Sequence, residues 1–185
     1  MSKAPEITAL SAVLACVLLG LILGMMASGA RINLNWTNGS KPNNSVALSI
    51  IADYGGSGMD SFVFADTVQK ASVIHVSAGQ VAFTINNLDT ALNVNYNKTA
   101  NVSFTFLNDT ANGVVRLHYN AGDHVSMVIS HTFTIDGIGE VPLSPDTTTT
   151  FALNLKAGTY HYYCIVPCGP GMNFAGYMQG DLVVQ

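Results

Sequence analysis

Over residues 62–185 the chain consists almost entirely of short alternating or continuous apolar runs, and no long stretch keeps a helical period. The runs fall at 72–76, 80–86, 100–107, 114–119, 124–130, 132–136, 148–155, 158–164 and 180–184, separated by Ala-Gly, Asn-Asn, Asn-Gly and Ala-Gly-Asp turns. A chain of this kind has one economical way to hide its apolar faces, which is to stack two sheets. The expectation is an all-β sandwich. Ser77-Ala-Gly-Gln80 and Asn120-Ala-Gly-Asp123 each link one run to the next, a hairpin echo rather than a duplication.

The N-terminus follows another rule. Residues 7–30 form twenty-four positions without a charge, bracketed by Lys3 and Glu6 on one side and Arg31 on the other. As a helix, that length crosses a hydrocarbon core of about 30 Å. A cleaved signal peptide is the competing reading, but its apolar core is usually only about 7–15 residues. The expected layout is a tail at 1–6, a single transmembrane helix at 7–30, a juxtamembrane linker at 31–61 and one domain at 62–185. Six Asn-x-Ser/Thr patterns, beginning at Asn35, Asn38, Asn43, Asn97, Asn101 and Asn108, suit a glycosylated domain on the extracytoplasmic side of a cell membrane. With 10% charged residues and a net charge of −4, the chain lacks the basic surface of a nucleic-acid-binding protein, and it has no phosphate-binding glycine loop.

The residues able to carry chemistry gather between the last two strand-like runs. Cys164 and Cys168 stand three residues apart and are followed by Gly169, Gly171, Met172 and Met178. Thiolates and thioethers are soft donors, which select copper, zinc or iron–sulfur clusters over magnesium or calcium. Outside a membrane, two cysteines this close also suit a disulfide, and both readings stand at this point. Cys16 falls inside the apolar run and reads as packing filler.

The run Cys164-Ile-Val-Pro-Cys168-Gly-Pro-Gly-Met172, after a tyrosine-rich strand and before Gly180-Asp-Leu-Val-Val, resembles the dinuclear copper (CuA) loop of subunit II of haem–copper terminal oxidases. In that family the loop reads Cys, three residues, Cys, Gly, a short gap, His, Met and a final strand. Ser130-His131-Thr-Phe-Thr-Ile resembles the upstream segment that supplies the other histidine. The resemblance implies a cupredoxin-like Greek-key β-sandwich behind one N-terminal transmembrane helix, in a subunit that passes electrons to a haem–copper catalytic subunit. Quinol or a redox protein would be the donor to that complex, and membrane lipid the surroundings of the anchor. It further implies that Cys164 and Cys168 bridge copper, His131 supplies an imidazole, the Val166 carbonyl approaches the metal, and Met172 or Met178 is a weak axial ligand. The sequence departs from the family where its second histidine is expected: Met172 stands there, and no histidine follows His161.

His161 and Cys164 are three positions apart along one strand and therefore face opposite sides, which makes His161 a poor ligand. His75, His118 and His124 carry no motif. A freestanding membrane-tethered carrier with a single copper, resembling sulfocyanin, is the alternative function. It needs a histidine shortly after its ligand cysteine, and this chain has none there. No nucleophile, base and orienting acid recur in a pattern that indicates independent catalysis.

Overall fold

The computed structural model of the chain describes residues 44–110 and 113–185. The expected tail, the transmembrane helix at 7–30 and residues 31–43 of the linker lie outside the described residues, as do Asn35, Asn38 and Asn43. Among the described residues no helix is long and apolar enough to cross a membrane.

The described part is all-β. In chain order the strands are β1 (Ser45–Ile51), β2 (Ser61–Phe64), β3 (Val73–Val76), β4 (Gly79–Asn87), β5 (Val94–Thr99), β6 (Phe104–Thr110) and β7 (Gly113–Tyr119). They continue as β8 (His124–Ile129), β9 (His131–Ile135), β10 (Gly139–Leu143), β11 (Thr147–Leu155), β12 (Gly158–Tyr163) and β13 (Gln179–Val184). One sheet has the order β2-β1-β4-β11-β6-β7, a second the order β10-β9-β12-β13-β3, and β5 pairs with β8 apart from both. Neighbours distant in sequence, such as β4 with β11 and β9 with β12, show the chain passing repeatedly from sheet to sheet.

Aromatic side chains seal the two large sheets together. Phe133 of the second sheet meets Phe83 and Phe151 of the first at centroid distances of 5.6 and 5.8 Å, and stacks on Tyr162 at 5.0 Å. Phe62 adds an edge contact to Phe133 at 5.5 Å. Such offset and edge arrangements suit the ring quadrupoles and add to the burial of apolar area.

Four strands correct the sequence reading. β1, inside the expected linker, is a true core strand: Val46, Leu48 and Ile50 point inward, and the strand runs parallel to β4. β2 begins at the linker's end and carries the buried pair Phe62 and Val63. β5 lies outside the expected runs, and the run expected at 100–107 becomes strand only from Phe104. β5 ends at Thr99 and β6 starts at Phe104, while Ala100 and Val102 are buried in the connection between them. β10 contains Pro142 and lies at a sheet edge, where a residue without an N–H is tolerated.

Gly180 is a packing requirement. A Cβ there would lie 2.5 Å from the Ser72 carbonyl oxygen and 2.7 Å from the Tyr162 hydroxyl, which itself donates to the Ala71 carbonyl. Gly180→Ala is expected to destabilise the domain by about 1–3 kcal/mol, the usual cost of overpacking. Urea unfolding should show a lowered midpoint with an unchanged slope, and an unchanged midpoint would mean that β3 can move aside.

Candidate metal centre

His131 opens β9 at one end of the sandwich, paired in register with Leu143 of β10. Cys164 follows β12 directly, and its N–H donates to the Met178 carbonyl at 3.0 Å, closing the base of the loop that joins β12 to β13. Within that loop the Cys168 N–H donates to the Val166 carbonyl at 2.7 Å, Gly169 takes a left-handed φ of 80°, and a short 3-10 turn spans Pro170–Asn173. The loop is held from outside as well. A Cβ at Gly171 would sit 3.1 Å from the Asp60 carbonyl and 3.2 Å from Met59.

These elements bring three soft or borderline donors together. The ligand atoms of His131, Cys164 and Cys168 lie within 4.8 Å of one another, and all three residues are buried. The imidazole Nδ1 is 3.1 Å from the Cys168 sulfur and 3.9 Å from the Cys164 sulfur. The two sulfurs are joined as a disulfide, with Cα atoms 7.0 Å apart. Bridged cysteines usually keep their Cα atoms within about 6.8 Å, so the backbone spacing lies at the outer edge of what a disulfide spans.

The other expected ligands divide. Met172 is at the centre, with its thioether sulfur 3.2 Å from the Cys168 N–H. The Val166 carbonyl is 3.7 Å from the Cys164 sulfur. Met178 is fully buried in the core, and its backbone carbonyl is what touches Cys164. His161 is partly exposed and faces Gln179 and Asp181, away from the cluster, as its strand parity requires.

Several supporting residues carried no sequence motif. The Thr132 hydroxyl accepts the Ile165 N–H at 2.9 Å, and the Thr132 N–H points at the Cys164 sulfur at 3.4 Å. Asn87, fully buried at the end of β4, donates to the Ser130 hydroxyl at 2.6 Å and the Ser144 carbonyl at 2.8 Å. Behind the imidazole, Nε2 is 2.7 Å from a carboxylate oxygen of Asp89, and Asp60 completes a second group of acids around the same ring. Burial holds the His131 pKa below its ordinary value, an effect opposed by the hydrogen bond to Asp89. Burial likewise raises the Asp60 carboxyl. The only available signal for these residues was adjacency: Thr132 follows His131, and Asp89 closes the Asn-Asn turn after β4.

The donor chemistry fits copper. Once the disulfide is reduced by two electrons to thiolates, two cysteine sulfurs, a thioether and an imidazole with Nδ1 turned toward the sulfurs form a soft donor set in a buried pocket. No family model matches the chain, and no curated protein does. Among solved structures, the chain is similar to the copper protein rusticyanin at 22% identity, covering 77% of this chain and 78% of that one, with a TM-score of 0.38. It is similar to a multicopper oxidase at 10% identity, covering 79% of this chain but 45% of that one, with a TM-score of 0.42. A copper-containing nitrite reductase from Thermus scotoductus SA-01 is similar at 12% identity over 78% of this chain and 31% of that one, with a TM-score of 0.37. At such scores any functional reading rests on the geometry of the site itself.

Thr132→Val is expected to lower stability by about 1–3 kcal/mol, because the Ile165 N–H loses its acceptor in a part-buried loop. Chemical denaturation measures the loss. An unchanged midpoint would show that water replaces the hydroxyl without cost.

Proposed function

We propose that the domain is a copper-binding electron-transfer module, and that the chain serves as subunit II of a membrane respiratory terminal oxidase with a remodelled CuA-type site. The observation that carries the reading is the buried group of His131, Cys164 and Cys168, with donor atoms within 4.8 Å of one another and the Met172 sulfur beside Cys168. Cys164 and Cys168 as thiolates, His131 through Nδ1 and the Met172 thioether are the residues that would hold the metal. Copper there would supply a one-electron couple. The protein's part is to keep the donors in place and the pocket dry, so that little solvent has to reorganise when charge changes. Thr132, Asn87 and the N–H of Cys164 do this by tying β9, β4 and the β12–β13 loop to one another.

Ile165 and Phe174 belong to the same loop and are exposed, at 39% and 55%. Exposed apolar side chains on the loop that carries the cysteines would suit contact with a partner subunit or electron donor. The uncharged run at 7–30 would anchor the domain beside the haem–copper catalytic subunit, with the sandwich on the extracytoplasmic side. The alternative is a freestanding carrier with one copper, which would have to hold it with His131, a cysteine and Met172 and without the second histidine such carriers use.

The test is metal content and spectrum of the full-length protein purified from its native membrane. Two coppers per chain and co-purified haem are expected. One copper without haem supports the freestanding carrier, and a protein that binds no copper after reduction and reconstitution would end both readings. Cys164→Ser and Cys168→Ser should each abolish copper binding and the thiolate-to-copper absorption.

A further substitution examines the departure at position 172. A thioether favours the cuprous ion relative to an imidazole. Met172→His should therefore lower the midpoint potential of the copper-loaded protein in redox titration, and a rise or no change would remove Met172 from the ligand set.

A further inference from the structure

Asp89 is placed in a way that ligation alone does not explain. It is almost wholly buried, at 2% exposure, and both of its carboxylate oxygens are committed. Oδ1 accepts the Ala91 N–H at 2.8 Å, which fixes the carboxylate in a tight local turn. Oδ2 faces Nε2 of His131 at 2.7 Å. The backbone N–H of Asp89 in turn donates to the Asn87 side-chain oxygen at 3.2 Å, so the turn is tied to the same Asn87 that anchors Ser130, the residue before His131. Through this chain of contacts β4 dictates where the imidazole of β9 sits and how it is rotated.

A carboxylate can only accept, so the ring nitrogen facing Asp89 must carry the proton. A neutral imidazole has one N–H, and its opposite nitrogen is then a bare lone pair. We propose that Asp89 is the positioning residue of the metal centre, fixing the His131 tautomer with its proton on Nε2 and a free Nδ1 directed at the Cys164 and Cys168 sulfurs. The assignment rests on the copper reading above for its purpose, but its structural content belongs to the polypeptide alone. Carboxylate partners of this kind orient a ligand histidine and increase its basicity, and their loss costs about 10–100-fold in metal affinity.

Asp89→Asn gives a directed test. The Ala91 N–H retains the amide oxygen, which turns the amide nitrogen, a donor, toward Nε2. A donor there demands a lone pair on Nε2 and sends the proton to Nδ1, the wrong side for binding. In serine proteases, replacing the aspartate that orients the catalytic histidine by asparagine has the same effect: the geometry survives and the proton moves to the wrong nitrogen. Asp60→Asn is the control, because it changes the same charge beside the same ring without touching the hydrogen bond at Nε2.

The experiment is 15N NMR of metal-free, full-length protein labelled at histidine, in detergent, with the His131 signal identified by its loss in His131→Gln. The unsubstituted protein and Asp60→Asn should show the Nε2–H tautomer, and Asp89→Asn the Nδ1–H tautomer. Competition for cuprous ion against a chelator should then show affinity reduced about 10–100-fold in Asp89→Asn and retained in Asp60→Asn. An Nδ1–H tautomer in the unsubstituted protein overturns the proposal without any variant, so a failure of Asp89→Asn to fold does not protect it. Equal cuprous affinity in Asp89→Asn and the unsubstituted protein overturns it too, while leaving the copper function standing. The expected tautomers with no copper bound by any form would uphold the Asp89 assignment and end the copper function instead.

Discussion

The imidazole of His131 is buried between a carboxylate on one side and two cysteine sulfurs on the other, and the local architecture is arranged to keep it there. A ring that makes a polar contact at each nitrogen inside a protein is costly to misplace, since either group left without its partner loses its compensation for leaving water. Three separate chain segments have to agree on its position: β9 carries the ring, the turn after β4 carries Asp89, and the β12–β13 loop carries the cysteines. That agreement is unavailable to any one of these segments alone. The sandwich is what makes it possible.

The aromatic core supplies the rigidity. Phe133 lies two residues from His131 on the same face-alternating strand and packs against Phe62, Phe83, Phe151 and Tyr162. Tyr162 lies two residues before Cys164. The strands that deliver the histidine and the first cysteine are therefore locked to each other by the ring stack at 5.0 Å, just inside the site. The pairing of Tyr163 with Thr134 fixes their register. A slip of one residue along either strand would turn every side chain to the opposite face and take the ligands out of the pocket.

Much of this was legible in the sequence, for identifiable reasons. β3, β8 and β13 have the period-2 apolar pattern bounded by turn residues that burial on one face enforces, and β9 and β11 are strands buried more fully. The cysteine spacing and the upstream Ser-His-Thr segment pointed to residues that the fold does bring together. β1 was missed because Val46, Leu48 and Ile50 are set among Asn, Ser and Gly, and because its partner β4 lies far along the chain. β10 was masked by Gly139 and Pro142, which only an edge position makes acceptable. Asp89 and Asn87 could not be found by period or spacing. Their role comes from where a turn ends in space, and nothing local to Asn-Asn-Leu-Asp records that.

Charge accounting links the two forms open to the cysteines. Two thiolates buried beside the Asp89 carboxylate would concentrate negative charge where water cannot screen it, and such a group persists only with compensating cations or after a change of chemical state. Pairing the sulfurs as a disulfide removes the thiolate charge altogether. Binding soft cations offsets it while keeping the donors separate. One cuprous ion balances one of the two thiolates, and one cupric ion or two cuprous ions balance both. The Asp89 carboxylate behind the imidazole adds to the negative charge that a bound cation would have to offset, so the disulfide is the state in which the pocket needs no cation at all.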